Sequence, residues 1–413
     1  MAKFSFNNKM GEEVVRELRT DVLVVGAGPA GGMAALELAS KGVRVLLVDR
    51  YPFPREKTCG DGLLEDSLKI LTEAGLGAAV RERAHSIGCI RFCAPNGSEC
   101  VVEGDICTLR RSELDAIIVE HACRRGGQFH DGIQITGPLL RGGSLGGAVG
   151  VDHEGRKVRI AAKLVLLATG SNPRLLSAFG VLESKGPSAI GIRGYFRLRD
   201  TIDENTMIVS YDPQLLPGYG WIFPLGAGIF NVGCGIHLDG RQRVPRFGSN
   251  LTRFYQHVQP MSKLLRRAER ISPMRAATMR TGFRGAQACA PGLLVLGEAL
   301  GLTFPFIGEG ISNALESGRL ASSVAIAALG SGNLSSTGLR RYERELRQIL
   351  QRRHQGYLAA QRWFRLKPFA NMLIEKAARS QSVRGVARQI LTGETDAAEV
   401  FSLRGIARVF LLR

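Results

Sequence analysis

Residues 21–49 read DVLVVGAGPAGGMAALELASKGVRVLLVD and contain the elements of a nucleotide-binding unit. A short apolar run leads into the turn Gly26-Ala-Gly28-Pro-Ala-Gly31, a helix-like run follows, and a second apolar run closes at Asp49. This order of strand, glycine turn, helix, strand and acid is typical of folds that bind a dinucleotide. The stretch therefore predicts a βαβ unit with its ligand at the start of the helix.

Each residue of this fingerprint has a physical role. Gly26 permits the tight turn, Gly28 lets a pyrophosphate approach the backbone, and Gly31 lets the helix pack close to the sheet. The helix N-terminus offers free N–H groups and a partial positive charge to the phosphates. Asp49 can accept hydrogen bonds from ribose hydroxyls, and we expect the adjacent Arg50 to bind the cofactor as well.

Two later segments indicate which dinucleotide is bound. Residues 164–170, LVLLATG, and residues 293–297, LLVLG, predict further buried strands, and the second is followed by Glu298. An N-terminal glycine fingerprint combined with a late strand that ends in glycine and an acid is the pattern of FAD enzymes. The late acid contacts the ribityl hydroxyls, and here Glu298 stands where Asp is usual. The sequence therefore predicts FAD as the cofactor.

Two helix starts add cofactor contacts to this prediction. Gly308, Gly310 and Ile311 precede an amphipathic run, and N–H groups there would face the flavin N1 and C2 carbonyl, where negative charge appears on reduction. Arg111 begins the run that leads into LDAIIVEHACRRGG. Because an arginine is unfavourable at a helix N-terminus, we expect it to bind the flavin or its phosphates. A structural role is the alternative, and Asp115 would support the helix start.

An aromatic strand is the main candidate for the substrate site. Tyr219, Trp221 and Phe223 alternate along the chain, so in a strand they would share one face. Three rings on one face suit an apolar, elongated ligand and would exclude water. The alternative is that the three rings simply face a core.

The loop KTCGDGL, residues 57–63, supplies polar candidates for catalysis. Desolvation in an apolar pocket favours the thiol form of Cys59, so it would act as an acid rather than as a nucleophile. Asp61 is the competing candidate in the same loop. A core cysteine without a catalytic role is the alternative.

Three motifs together resemble a known family. They are the run from Pro54 to Leu63, the segment Tyr219-Gly-Trp221-Ile-Phe223-Pro224, and GEALGLTFPFIGEGI at residues 297–311. They resemble the geranylgeranyl reductase family of the p-hydroxybenzoate hydroxylase fold group, over about residues 20–335. The resemblance implies an FAD enzyme that saturates carbon–carbon double bonds of a polyprenyl lipid, of the geranylgeranyl type or of the menaquinone type found in bacteria. Hydride transfer from reduced flavin would be combined with protonation.

Two other functions fit parts of the sequence. An FAD-dependent monooxygenase or halogenase would share the fold, although halogenases usually show a WxWxIP run and Tyr219 takes its first aromatic place. A non-catalytic prenyl-binding protein is the third reading. For an enzyme, the electron donor stays open between NADPH and reduced ferredoxin or a similar carrier protein, because no second glycine fingerprint follows residue 50.

Positive charge is concentrated near the C-terminus. The chain has 55 basic and 37 acidic residues, a net charge of +18, and residues 339–413 hold 16 and 6 of these, a net charge of +10. Aromatic residues interleave with the arginines there, and a helix would place Leu403, Ile406 and Phe410 opposite Arg404 and Arg408. The interleaved rings are Trp363, Phe364 and Phe369. The pattern favours an anionic membrane surface, with a structural cap as the alternative. Nucleic acid is not expected, because no DNA- or RNA-binding module accompanies the charge.

The sequence as a whole predicts an α/β protein. We expect an FAD-binding dinucleotide fold at residues 18–75, 105–175 and 285–335, an interleaved β-rich substrate domain at 76–104 and 176–284, and C-terminal helices at 336–413. The eight cysteines contain no CxxC pair and complete no zinc site, so no metal is expected. The first twenty residues lack the apolar run of a secretory signal, which predicts a cytoplasmic location, with peripheral attachment to the inner face of the cell membrane as an extension.

Overall fold

The computed structural model describes residues 15–184, 186–198, 203–238 and 268–411. The strands in chain order are β1 (Arg16–Arg19), β2 (Val22–Val25), β3 (Val45–Val48), β4 (Gly62–Leu63), β5 (His85–Cys93), β6 (Glu99–Thr108), β7 (Gln128–His130), β8 (Gln134–Arg141), β9 (Ser144–Val151), β10 (Lys157–Ala161), β11 (Leu164–Leu167), β12 (Ala189–Leu198), β13 (Thr206–Ser210), β14 (Tyr219–Pro224), β15 (Ile229–His237), β16 (Ala268–Arg270), β17 (Arg275–Met279), β18 (Cys289–Ala290) and β19 (Leu293–Val295). The helices are α1 (Pro29–Ser40), α2 (Glu65–Glu73), α3 (Gly77–Arg83), α4 (Arg111–Arg124), α5 (Pro173–Ala178), α6 (Ile311–Ser331), α7 (Ser336–Phe364), α8 (Lys367–Arg379), α9 (Gln381–Leu391), α10 (Ala397–Val400) and α11 (Leu403–Leu411), with a 3₁₀ helix at Gly297–Leu300.

A six-stranded sheet forms the nucleotide-binding part of the fold. Its order is β18-β19-β11-β2-β3-β7, and all its pairs are parallel except β18 with β19. Strands β2, β3 and β11 are fully buried, as expected for parallel strands whose two faces are both covered. Helix α1 packs between α4 and α6 over this sheet. The predicted α/β fold with a dinucleotide-binding unit is confirmed.

A nine-stranded sheet stands beside the nucleotide-binding sheet. Its order is β16-β12-β15-β14-β13-β5-β6-β4, and β17 also pairs with β12. Alternate residues give the sheet two apolar faces. One faces the cavity described below, and the other packs a separate core that includes Ile192, Ile222, Phe230 and Val232. Strands β1, β8, β9 and β10 form a third, four-stranded sheet.

The expected domain division differs from the sheets at two places. Gly62–Leu63 and the last residues of β6, which the sequence assigned to the nucleotide fold, pair with each other in the nine-stranded sheet. The reason is that the chain crosses to the second sheet directly after the loop that carries Cys59. The division into an FAD-binding part, a substrate part and C-terminal helices stays our proposal with this change.

The C-terminal helices pack tightly against the nucleotide fold. The hydroxyl of Tyr342 donates to the carbonyl oxygen of Val295 at 2.9 Å, and His354 Nε2 lies 3.1 Å from the carbonyl oxygen of Leu302. No helix in the described ranges is long and apolar enough to cross a membrane.

The prediction that Trp363, Phe364 and Phe369 form a membrane-facing surface is wrong for two of the three rings. Phe364 and Phe369 are only 4% and 6% exposed. Phe364 packs on Phe306 with ring centroids 4.5 Å apart, and half-buried Trp363 stacks on Phe369 at 5.1 Å. The interleaved Arg362 and Arg365 are exposed. The aromatic residues therefore anchor α7 and α8 to the body of the protein.

Candidate functional site

A cavity of about 590 Å³ lies between the six-stranded and the nine-stranded sheet. The loop after β2, the loop from Asp49 to Gly62, strands β5 and β12–β15, and the loop before α6 all contribute to its wall. With the exception of Gly31, every residue predicted for the site lines this cavity. The lining set is Gly26, Gly28, Asp49, Arg50, Cys59, Asp61, Arg111, Tyr219, Trp221, Phe223, Glu298, Gly308, Gly310 and Ile311.

The glycine turn after β2 has the geometry that a dinucleotide requires. Gly26 has a φ of 104°, and a β-carbon there would overlap the carbonyl oxygen of Ala168. A β-carbon at Gly31 would overlap the Gly26 carbonyl oxygen, so Gly31 serves packing and not the cavity. At Gly28 the space opens into the cavity and meets only the side-chain nitrogens of Arg111 and Arg55, 3.6 and 3.8 Å away. A pyrophosphate fits this cradle, since cationic side chains face it at the start of α1.

Asp49 sits at the end of β3 and is held by three donors. Its carboxylate accepts hydrogen bonds from the backbone N–H groups of Ala27 at 2.9 Å and Tyr51 at 3.0 Å. Arg55 donates to it through Nε at 3.2 Å and to Asp115 through Nη1 at 3.0 Å. Sequence reasoning missed Arg55, although it lies inside the run from Pro54 to Leu63.

Arg111 is the first residue of α4 and is only 8% exposed. It makes a bidentate ion pair with Asp115, in which Nε donates to Oδ1 and Nη2 donates to Oδ2, both at 2.9 Å. This i, i+4 pair spans the first turn of α4, and the expectation that Asp115 supports the helix start stays a prediction. Asp115 holds Arg111 and Arg55 side by side beside Gly28.

The acid expected near the ribityl chain, Glu298, lies in the 3₁₀ helix. Its Oε2 is 3.9 Å from Lys57 Nζ and faces Gly170. Glu309, which the sequence analysis did not single out, caps the following helix α6. Its two carboxylate oxygens accept hydrogen bonds from the Ser312 backbone N–H and hydroxyl, both at 2.7 Å.

The aromatic side chains of β14 form a continuous wall on the cavity face. Ring centroids are 6.1 Å apart for Tyr219 and Trp221 and 6.2 Å apart for Trp221 and Phe223. Trp221 Nε1 donates to Asn231 Oδ1 at 3.0 Å, and the Tyr219 hydroxyl donates to the Ile307 carbonyl oxygen. Both polar groups are thereby satisfied, which leaves apolar ring surface toward the cavity.

Asp61 is fully buried and adopts a φ of 65°, which a residue other than glycine keeps only when its surroundings hold it. The holding partners are the Tyr195 hydroxyl at 2.8 Å, Asn231 Nδ2 at 2.7 Å and the Arg111 backbone N–H at 3.3 Å. Burial raises the pKa of Asp61 to about 6 although these donors oppose the shift. The Asp61 carboxyl is therefore held in place at the cavity wall by its neighbours.

Cys59 is half-buried at the cavity wall. Burial raises the pKa of its thiol, although the nearby Arg111 guanidinium opposes the shift. The thiol is therefore protonated at neutral pH. Asn231 Nδ2 also donates to the Cys59 carbonyl oxygen at 2.8 Å, so one amide holds both Cys59 and Asp61.

Arg193 on β12 is a further group that sequence reasoning missed. It is 1% exposed, donates to Glu56 Oε2 at 2.6 Å and to the Lys57 carbonyl oxygen at 3.2 Å, and lies 4.1 Å from the centre of the Tyr195 ring. The available signal was an arginine in the middle of the apolar run AIGIRGYF, where every neighbouring residue of β12 is buried. Arg193, Tyr195 and Asn231 together fix the Cys59 loop to the nine-stranded sheet.

Comparisons with known proteins agree with this geometry. Residues 19–356 match the FAD binding domain family. Digeranylgeranylglycerophospholipid reductase 1 of Methanopyrus kandleri is 30% identical over 336 residues, which cover 78% of this chain and 84% of that protein. The digeranylgeranylglycerophospholipid reductase of Methanosphaerula palustris is 29% identical, with 79% and 81% covered.

Solved structures show the same fold. A geranylgeranyl bacteriochlorophyll reductase-like protein from Thermoplasma acidophilum superposes with a TM-score of 0.78 at 22% identity, covering 95% of this chain and 96% of that one. A flavin-dependent brominase superposes with a TM-score of 0.75 at 19% identity, covering 95% and 98%.

The nucleotide fold, the glycine cradle and the family match define an FAD-dependent oxidoreductase. The prediction of FAD as the cofactor is confirmed by the family match. Among such flavoproteins, the extent of its match to the archaeal reductases shows that the chain belongs to the geranylgeranyl reductase family.

Proposed function

We propose that this protein saturates carbon–carbon double bonds in the prenyl chains of a membrane lipid. The observation that carries the proposal is the apolar wall of Tyr219, Trp221 and Phe223, which faces the same cavity as the FAD cradle and the Cys59 thiol. The names of the related reductases support this class of substrate.

In this proposal the cofactor is held along one side of the cavity. Gly26, Gly28 and the start of α1 bind the pyrophosphate, Asp49 and Arg50 the adenosine side, and Arg111 adds positive charge. Glu298 would bind the ribityl hydroxyls, and the backbone N–H groups at Gly308, Gly310 and Ile311 would bind the flavin ring. Reduced FAD supplies a hydride equivalent.

The aromatic wall orients the lipid and assists the reaction. An isolated trisubstituted alkene is a poor electrophile, so positive charge develops at its tertiary carbon as it accepts hydride and proton. The ring faces of Trp221 and Phe223 stabilise this charge, as they would a cation. Their apolar surface also excludes water from the reacting carbons.

We propose Cys59 as the proton donor. Its Sγ–H proton goes to one alkene carbon as the other accepts hydride, and the Arg111 side chain stabilises the thiolate that is left. Solvent returns the proton after product leaves. We assign Asp61 a positioning role, because its carboxyl is fully buried and already accepts hydrogen bonds from Tyr195 and Asn231.

The electrons for reducing FAD come from NADPH or from a reduced ferredoxin-type carrier in this proposal. A net charge of +18 favours an acidic carrier protein. Reduction by such a carrier would slow as salt is added, whereas reduction by NADPH would depend on salt much less.

We also propose that the C-terminal helices bring the enzyme to the inner surface of the membrane. Of the predicted apolar face of α11, Leu403 is 77% exposed, whereas Ile406 and Phe410 are partly buried against the core. Leu411 is 82% exposed, and Arg404 and Arg408 are exposed on the same helix. Apolar side chains beside cations suit the interface of an anionic bilayer.

The test is anaerobic reduction of the purified holoprotein with dithionite, followed by addition of defined polyprenyl lipids. We expect flavin reoxidation together with a mass gain of two hydrogen atoms for each double bond. Flavin that stays reduced with every lipid would overturn the proposal. Peroxide formation on admission of oxygen, with no change in any lipid, would favour a monooxygenase.

A further inference from the structure

The turn that precedes α6 brings a carboxyl group to the cavity wall. The chain closes there into a small loop, in which the Phe304 backbone N–H donates to the Glu309 carbonyl oxygen at 2.7 Å and the Gly308 N–H donates to the Phe304 carbonyl oxygen at 3.1 Å. Gly308 has a φ of 65°, and a β-carbon there would lie 3.1 Å from the Tyr219 hydroxyl. The turn is thereby fixed, and Gly308, Glu309 and Gly310 all line the cavity.

The hydrogen bonds of the Glu309 side chain favour its charged form. Both carboxylate oxygens accept from Ser312, one from the backbone N–H and one from the hydroxyl. The carboxylate also lies at the positive end of α6, a helix of 21 residues, and both features stabilise a negative charge. Burial acts in the opposite direction and raises the pKa of Glu309. At pH 8 we expect the carboxylate to be ionised.

The charge on Glu309 is not neutralised by a direct partner. Among the residues that the structure describes, Glu309 forms no ion pair. Asp66 and Arg353 are the charged groups that affect its pKa, and they pair with each other at 2.7 Å. The Tyr219 hydroxyl donates to the Ile307 carbonyl oxygen and not to the carboxylate. Glu309 therefore adds a net negative charge to the turn at the start of α6.

We propose that Glu309 lowers the reduction potential of the bound FAD and so makes reduced FAD a stronger hydride donor. This role rests on the proposed function, in which the N–H groups at Gly308, Gly310 and Ile311 bind the flavin ring. Reduction places negative charge at the flavin N1 and C2 carbonyl, which a helix start stabilises. A carboxylate on the same turn repels that charge and offsets the effect of the helix. A strong hydride donor suits an alkene that is a poor electrophile.

The experiment measures the reduction potential of FAD in the purified holoprotein at pH 8, by anaerobic titration against a dye of known potential. Glu309→Gln removes the charge and keeps an acceptor for the Ser312 N–H. At the potential where wild-type FAD is half reduced, we expect the ratio of reduced to oxidised FAD in this variant to be about tenfold higher, a shift of about +30 mV for a two-electron couple.

Two further variants separate charge from structure. Glu309→Asp keeps the charge on the turn and should stay close to the wild-type ratio. Glu82→Gln removes an exposed carboxylate on α3, and because such a charge is screened by solvent and salt, it should change the ratio by less than about twofold. Lipid-dependent flavin reoxidation should also slow in Glu309→Gln, since its reduced FAD is the weaker donor.

Three outcomes would overturn this role of Glu309. An unchanged or lower ratio in Glu309→Gln would show that its charge does not act on the flavin. An equal rise in Glu309→Asp would assign the effect to the helix cap, and an equal rise in Glu82→Gln would assign it to the net charge of the protein. The potential is measured without any lipid. The proposed function fails separately, if reduced wild-type enzyme converts no polyprenyl lipid.

Discussion

Two groups of aromatic residues look alike in the sequence and differ in the folded protein. Tyr219, Trp221 and Phe223 present their ring surfaces to the cavity, whereas Phe364 and Phe369 are buried between the C-terminal helices and the protein body. The strand group keeps its rings side by side because alternate residues of a strand must share a face. The position of the helix group depends on what packs against it, here Phe306 and Tyr211. A ring beside cations is therefore not by itself a membrane contact.

The largest effect that we predict concerns the thiol facing the strand group. Cys59→Ala should lower lipid-dependent flavin reoxidation by about 10²- to 10⁴-fold, the usual contribution of a general acid. FAD content and the flavin spectrum should not change, since Cys59 is not part of the pyrophosphate cradle. Stopped-flow absorbance measures the rate. Reoxidation at the wild-type rate would remove Cys59 from the mechanism.

The helix group should act on stability and not on chemistry. Phe364→Ala is expected to lower the free energy of unfolding by about 3–5 kcal/mol, because it opens a cavity beside Phe306. Chemical denaturation followed by flavin release and circular dichroism measures this change. The adjacent exposed Arg365→Ala is the control and should stay within about 0.5 kcal/mol of wild type. Comparable stability of the two variants would mean that the helix group is not anchored as described.

The activity that depends on the strand group should also respond to pH, through the buried Asp61 carboxyl. Above the pKa of about 6 the Asp61 carboxylate accepts charge-assisted bonds from Tyr195 and Asn231, and these weaken when it is protonated. We expect kcat/KM to fall as pH drops through about 6, and Asp61→Asn to abolish that inflection while lowering the rate at pH 8. An unchanged inflection in the variant would assign it to another group.

The pKa of Asp61 also has a consequence for stability. Since folding raises this pKa, the folded state binds the proton more tightly than the unfolded state does. The contribution of Asp61 to the free energy of unfolding therefore decreases as pH rises from about 4 to about 6. Thermal unfolding of wild type and Asp61→Asn at both pH values measures this contribution.

The smallest effect belongs to the exposed part of the C-terminal region. Each cation near an anionic surface contributes about 1 kcal/mol, so Arg404→Gln with Arg408→Gln should weaken vesicle binding by about 2 kcal/mol. Cosedimentation with anionic and neutral vesicles at low and high salt measures it, with exposed Arg124→Gln on α4 as the control. Equal binding to both vesicle types would leave α11 with a structural role alone.

The sequence predicted the parts of the site that local pattern determines. The glycine fingerprint defines the cradle at Gly28, and alternation along β14 defines the aromatic wall. It did not predict Arg193, Tyr195 and Asn231 as partners of the Cys59 loop, because these contacts join residues well over a hundred positions apart. The pairing of β12, β14 and β15 that aligns them is a property of the whole sheet. Likewise, nothing near Leu391, the last residue of α9, indicates that it lines the cavity.

The place of Leu391 in the cavity wall bears on how the protein is made. Ribosomes deliver the chain from its N-terminus, and domains generally fold as they emerge. The glycine cradle and the aromatic wall of β14 are synthesised early. The wall of the cavity as a whole lacks Leu391 until α9 has been synthesised. A nascent chain halted before that point would leave an apolar pocket open to water and to chaperones. The cavity wall is therefore complete only after the final helices have been synthesised.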